Sequence, residues 1–206
     1  MNWTLDFKKP LAARAEFTGG KGSNLARLTA GNFDVPQGFI VTAAAYREWI
    51  DRADWWRRAV RDLPENDPAG LAAAAEHLRS RLLRLPLPEA VEAEMRAQVE
   101  GFPEGAAFAV RSSSTLEDMA DAAFAGQHDT FLNCRGADAV IDAVQRCYAS
   151  LWHDRAIAYR QQNGFDQFAA QMAIVVQEMV PCDTAGVAFS INPVTGDLGT
   201  AVIDAN

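Results

Sequence analysis

The hydrophobic pattern of this chain changes period near Gly101, and that change limits the architectures open to it. Over residues 51–100 the sequence is rich in Ala, Leu, Arg and Glu, with apolar positions at helical spacing. Leu71, Ala74, Leu78, Leu82 and Leu85 fall on one face. Pro88 suits the first turn of a further helix carrying Val91, Met95 and Val99. Beyond Gly101, short strand-like runs take over: FAVRS, HDTFLN, and then AIVVQEMV, GVAFSINP and TAVIDA after a long helix predicted over 137–162. Strands gathered around one long helix predict an α+β fold and argue against a regular βαβ repeat.

The chain is expected to form one large domain or two small ones, and two parts are read along this pattern. Residues 1–100 hold a lysine-glycine turn, a helix over 23–29, the strand-like PQGFIVT and then the helical stretch 51–100, which reads as an insert or lid without chemistry of its own. Thr42 is placed to cap the helix AAAYREWI. Residues 101–206 form the mixed part. Its long helix is predicted to bury Val140, Val144, Tyr148, Leu151 and Trp152. Asp142 and Arg146, four residues apart, should make a surface pair worth only ~0.3–0.5 kcal/mol.

With 206 residues, 49% of them hydrophobic, the chain can bury a sizeable core. A formal net charge of −8 disfavours a broad phosphate-backbone footprint, so nucleic acid is not an expected partner. Cys134, Cys147 and Cys182 are odd in number and widely spaced, which fits neither a disulfide framework nor a zinc site; reduced core thiols are expected. The opening MNWTLDFKKP has no apolar signal region, and no run approaches the ~18 apolar residues of a bilayer span. No membrane partner is therefore expected, and the default location is cytoplasmic.

Three segments carry chemistry. The first is FAVRSSSTLEDMADAAFAGQHDTFLN, residues 108–133. Here an apolar strand is expected to end in Arg111, whose planar fork of donors suits phosphate oxygens. Three serines, Thr115 and the acidic pair Glu117 and Asp118 follow, and then a small-residue turn around Gly126 leads into a second strand through Thr130. Gly126 has no Cβ to keep a ligand from the backbone. The plainer alternative is a polar hairpin with a surface arginine.

The second segment is TGGKGSN, with Lys21 set between glycines in a chain whose only other lysines are Lys8 and Lys9. A P-loop would need Gly at 15 and Ser or Thr at 22, where Ala15 and Gly22 stand, so this is not one. It can still be an anion-binding turn before a helix, or simply a turn with an exposed lysine. The third is VVQEMV, residues 175–180. A strand edge followed by Met and Val can receive a flat purine, its backbone and Gln177 reading the base; an ordinary strand with outward Gln and Glu is the alternative.

Taken in order, GGKGSN, VPQGFIVTAAAYREWI, AVRSSSTLEDMADAAFAGQHDTFLN, CYASLWHDRAIAYRQQNG, VVQEMV and GVAFSINPVTG resemble the amino-terminal nucleotide-binding domain of the phosphoenolpyruvate synthase, pyruvate phosphate dikinase and rifamycin phosphotransferase family. The likeness is weakest over 51–100. It implies an ATP-grasp-like fold, with ATP and Mg2+ as cofactors. Carried over by motif, Lys21 and Arg111 contact the phosphates and have the catalytic roles, Gly126 and Thr130 belong to the loop over the triphosphate, and Gln177 lies at the adenine end.

The implied reaction transfers the ATP β-phosphate to a phosphohistidine carrier domain of the same full-length protein. That histidine is not expected among His77, His128 and His153, whose contexts EHLR, GQHDT and WHDRA differ from the carrier motif. The magnesium-binding glutamate and later phosphate contacts are expected downstream of Asn206, so this stretch is read as an incomplete ATP site with little activity alone. The competing expectation, from a different class, is a stand-alone nucleotide-sensing or docking module.

Overall fold

The computed structural model describes residues 2–115 and 129–205. Thr4–Asp6 (β1), Gly38–Val41 (β2), Ala107–Ser114 (β3), Thr130–Arg135 (β4) and Met172–Glu178 (β5) form one antiparallel sheet in the order β1-β2-β5-β3-β4. A separate hairpin pairs Gly186–Phe189 (β6) with Val202–Ala205 (β7). All five strand signals read after Gly101 are present. With the helices described below, the α+β class holds.

β5 lies at the centre because its continuous apolar run suits a strand covered on both faces. Alternate residues sort to opposite sides. Ile174 and Val176 join Phe39, Val41, Phe108 and Val110 in the main core, whereas Ala173, Val175 and Ile40 join a smaller cluster with Leu5, Phe7 and Ala26. The smaller cluster is covered by Ala15–Ala30 (α1). The main core is built with Ala43–Ile50 (α2), Trp56–Arg61 (α3), Pro68–Leu82 (α4), Glu89–Glu100 (α5) and Gly136–Ser150 (α6).

Several expectations need correction. The helical stretch 51–100 is not a lid over the rest. Leu71, Leu78, Leu82, Val91 and Met95 share the core of the sheet, and Leu85 lies partly buried against it. Polar ties agree: the Glu94 carboxylate accepts from the Thr4 amide at 2.8 Å, and the Leu85 carbonyl accepts from Trp49 Nε1 at 3.0 Å. Thr42 does hold the cap position of α2, yet its hydroxyl makes no cap bond and donates to the Asn2 carbonyl.

The helix predicted over 137–162 is two. α6 ends at Ser150, and Asp154–Gln162 (α7) starts after His153, whose backbone is extended (φ −62°, ψ 144°). The apolar pattern runs through the break because Leu151 and Trp152 are themselves buried at it. The Trp152 indole donates to the Tyr46 hydroxyl at 3.1 Å, and Arg160 of α7 lies over its ring and donates to the Leu151 carbonyl. The Asp142–Arg146 surface pair forms, at 3.5 Å. Of the cysteines only Cys147 is a core thiol; Cys134 is half-buried and Cys182 exposed.

Candidate functional site

Lys21 does not sit in a loop. α1 spans both the turn and the helix read from the sequence, and the turn has contracted to Gly19, whose φ of 65° and ψ of 178° break the helix between Thr18 and Gly20. Glycine is needed there twice over: φ is in the left-handed region, and a Cβ would overlap the Ser113 carbonyl of β3. Lys21 is thus in the first turn of the resumed helix, half-buried. Amide donors in such a turn have no partner within the helix. One of them, Gly22 N–H, is taken by Ser113 Oγ at 3.1 Å.

Ser113 fixes this geometry. Its hydroxyl also donates to the Thr18 carbonyl at 2.7 Å, so one buried side chain bridges both sides of the Gly19 break. Thr18 Oγ1 donates to the Ala12 carbonyl at 2.8 Å, and Ser23 Oγ donates to the Gly20 carbonyl at 3.0 Å, stiffening the two flanks. The strand expected to end at Arg111 therefore continues through Ser112, Ser113 and Ser114, which are buried and paired with Ile174, Ala173 and Met172 of β5. The clasp was not foreseen. Its signal was a run of small hydroxyl residues directly after a strand.

Register decides which residues share the α1 face. Opposed residues on antiparallel strands point the same way, and that way alternates along each strand. Arg111 pairs with Val175 on β5 and Thr130 on β4, while Gln177 pairs with Ala109 and Gly38. Since Val175 lies under α1, Arg111, Ser113, Thr130 and Gln177 are all on that face. Moving along β3, the Ser113 row below Lys21, the Arg111–Thr130 row and the Gln177 row follow at intervals of about 7 Å, two residues of strand each. Among the described residues no carboxylate lies within ion-pair distance of Arg111.

A shift of register between Phe108 and Val110 belongs to this arrangement. β4 has an extra residue there, with Asn133 at φ 58°. The bulge keeps both Phe131 and Cys134 packed on the main core, and it leaves Thr130 exposed beside Arg111.

Two expectations change at the Gln177 end. β5 is a central strand, and the amides of Glu178 and Met179 already donate to the carbonyls of Gln37 and Ala107, both at 2.8 Å. Those donors cannot read a base edge. The Gln177 side chain is nearly buried and its amide donates to the Pro36 carbonyl at 3.1 Å. Gly126, the rest of its turn, Glu117, Asp118 and His128 lie outside the described residues. His77 is exposed, and His153 is half-buried against Asp129. Among the described residues, no group of three or more His, Cys, Asp or Glu could hold a metal ion, and no helix is long and apolar enough to cross a membrane.

Comparison with known proteins gives this face a context. The family model for the pyruvate phosphate dikinase AMP/ATP-binding domain matches residues 15–206. The chain is 38% identical over 198 residues to a probable phosphoenolpyruvate synthase of Methanocaldococcus jannaschii, covering 92% of this chain and 17% of that protein. It is 40% identical over 205 residues to the phosphoenolpyruvate synthase of Synechocystis, covering 91% and 25%. A rifampicin phosphotransferase from a Streptomyces species is 38% identical over 205 residues, covering 98% and 24%. The chain thus spans between a sixth and a quarter of these relatives.

Proposed function

Because the chain belongs to the pyruvate phosphate dikinase AMP/ATP-binding domain family, we propose that its α1 face is the phosphate end of an ATP site in a dikinase-type phosphotransferase. The observation that carries this reading is the order on the sheet: a helix-start lysine, then an arginine beside a threonine, then a glutamine one row further on. An extended nucleotide lies along that line with its triphosphate over Lys21, Arg111 and Thr130 and its base toward Gln177. Phosphoryl transfer requires little of a protein beyond positioning and neutralising charge, and these side chains with the first-turn amides of α1 are suited to both.

The proposed reaction moves the ATP β-phosphate to a histidine on another domain of the full-length protein, with AMP as the leaving group and the γ-phosphoryl passed to water as inorganic phosphate. The greater length of the relatives fits such a domain. Lys21 and Arg111 serve the transfer directly; Thr130 and Gln177 hold the nucleotide. Gly126 belongs to the same proposal as a backbone contact to phosphate. The fold is proposed to be part of an ATP-grasp-like domain, and the location cytoplasmic. Magnesium is the natural counter-charge for a triphosphate, but no cluster among the described residues fits it, and no step is assigned to it. The names of the relatives include both phosphoenolpyruvate synthases and rifampicin phosphotransferases at near-equal identity, so the assignment here is to the nucleotide step.

The test is product analysis on the full-length protein supplied with ATP labelled at the β or the γ position. The proposal requires AMP as product and β-label, not γ-label, on a histidine. Formation of ADP with γ-label on the acceptor would overturn it.

A further inference from the structure

One polar cluster next to the site is not used by the proposed chemistry. Asp129 directly precedes Thr130, and every polar group it has is engaged. Its N–H donates to Ser150 Oγ at 3.3 Å, and its carbonyl accepts from Cys147 Sγ at 3.5 Å, both from the end of α6. Its carboxylate lies 3.3 Å from His153 Nε2 and 3.8 Å from an Arg155 guanidinium nitrogen, both at the start of α7. Ser150 is itself fixed, donating to the Cys147 carbonyl at 2.7 Å.

This arrangement needs the break between α6 and α7. In a straight helix, residues two apart point to nearly opposite sides, so His153 and Arg155 could not both reach one carboxylate. With His153 extended and Arg155 in the first turn of α7, they do. The interruption that the periodicity of 137–162 conceals therefore builds a socket for the residue directly before β4. That residue is joined directly to Thr130, which is paired with Arg111.

We propose that Asp129, gripped by His153 and Arg155, is a positioning residue that sets Thr130 against Arg111 for phosphate contact. Thr130 is exposed and follows Asp129 as the first residue of its strand, where the ladder alone restrains it least. The cluster supplies the missing restraint from the helical side of the sheet. Asp129 and His153 touch no phosphate in this account, and the role rests on the reading of the α1 face as the phosphate site.

The experiment measures Mg-ATP affinity by calorimetry, KM and kcat, and nucleotide-free melting, in the full-length protein. Asp129→Ala and His153→Ala should each weaken ATP binding about 3- to 5-fold, a loss on the order of one partly exposed polar contact. His153→Gln, which keeps a donor, should recover most of the loss. The double variant should be no worse than either single one, because the pair acts as a unit. The effect should fall on KM more than on kcat. Unchanged affinity with lowered melting would make the cluster a structural strut and overturn the proposal, as would additive losses. Arg111→Lys serves as the reference: if it too leaves affinity unchanged, the phosphate-site reading fails, whereas if only Asp129 and His153 are silent, the positioning role fails alone.

Discussion

At the scale of single residues, the duties proposed for Lys21 and Arg111 are separable from the structural one of Ser113. Lys21→Ala in the full-length protein should lower phosphoryl transfer at least ~10-fold, about 1.4 kcal/mol of transition-state stabilisation, and leave nucleotide-free melting nearly unchanged. Steady-state kinetics and a melting curve check both halves. Arg111→Lys keeps the charge and loses the planar fork, so ATP affinity should fall, and fall further in Arg111→Ala; equal affinities would make Arg111 a surface arginine of a hairpin. Ser113→Ala behaves in the opposite way to Lys21→Ala. It leaves the Gly22 amide and the Thr18 carbonyl without their buried partner, and each such orphan costs about 1–3 kcal/mol. Urea unfolding should show a loss of at least about 2 kcal/mol, with weaker ATP binding as the start of α1 loosens. Lys21 and Arg111 stand out in the sequence as candidates because a rare lysine between glycines and a strand-borne arginine are conspicuous there. Ser113 does not, because its hydroxyl acts across 91 residues of sequence, a relation that only the folded chain supplies.

At the scale of elements, the sequence was clearest where apolar residues repeat. The strand runs after Gly101 and the two helices following Asp67 appear close to where their periods place them. It was least clear where a buried run crosses a change of backbone. Leu151 and Trp152 are apolar and buried, so the pattern alone cannot tell a continuous helix from a kinked one. Arg160 registers the difference. It is fully buried, donating from Nε to Gln167 Oε1 at 2.6 Å and from a terminal nitrogen to the Leu151 carbonyl at 2.9 Å. Burial pushes its guanidinium down to about 10. It stays protonated at neutral pH in the folded and unfolded chain alike, so it adds no slope to stability between pH 5 and 8. Arg160→Lys keeps a buried charge but cannot make both bonds, and chemical denaturation should show a loss of about 1–3 kcal/mol. Arg160→Met removes the buried charge along with the bonds and should cost less.

At the scale of the whole molecule, the sheet separates two environments, a large apolar core under most of the helices and, on the α1 face, a smaller apolar cluster bordered by the polar side chains Arg111, Ser113, Thr130 and Gln177. The thiols report the first. Burial, reinforced by the charge of Asp129, pushes the Cys147 thiol well up, and burial raises Cys134 to a lesser extent. A thiol reagent followed by mass spectrometry should modify exposed Cys182 first, Cys134 more slowly, and Cys147 only on unfolding. On the second, Lys21 and Arg111 are half-buried and Thr130 is exposed. ATP should therefore bind the 206-residue chain weakly; at a Kd near ~1 mM, ~1 mM ATP would stabilise it by only about 0.4 kcal/mol. Weak binding of this kind is well suited to amide-resolved NMR titration, which tests the placement of the nucleotide most directly. On addition of Mg-ATP, the largest shifts should fall on Gly20 to Ser23, on Arg111 and Thr130, and on the end of β5 beside Gln177. Shifts concentrated elsewhere, for example where α4 meets α7 around Asp67 and Gln161, with the α1 face silent, would contradict the account.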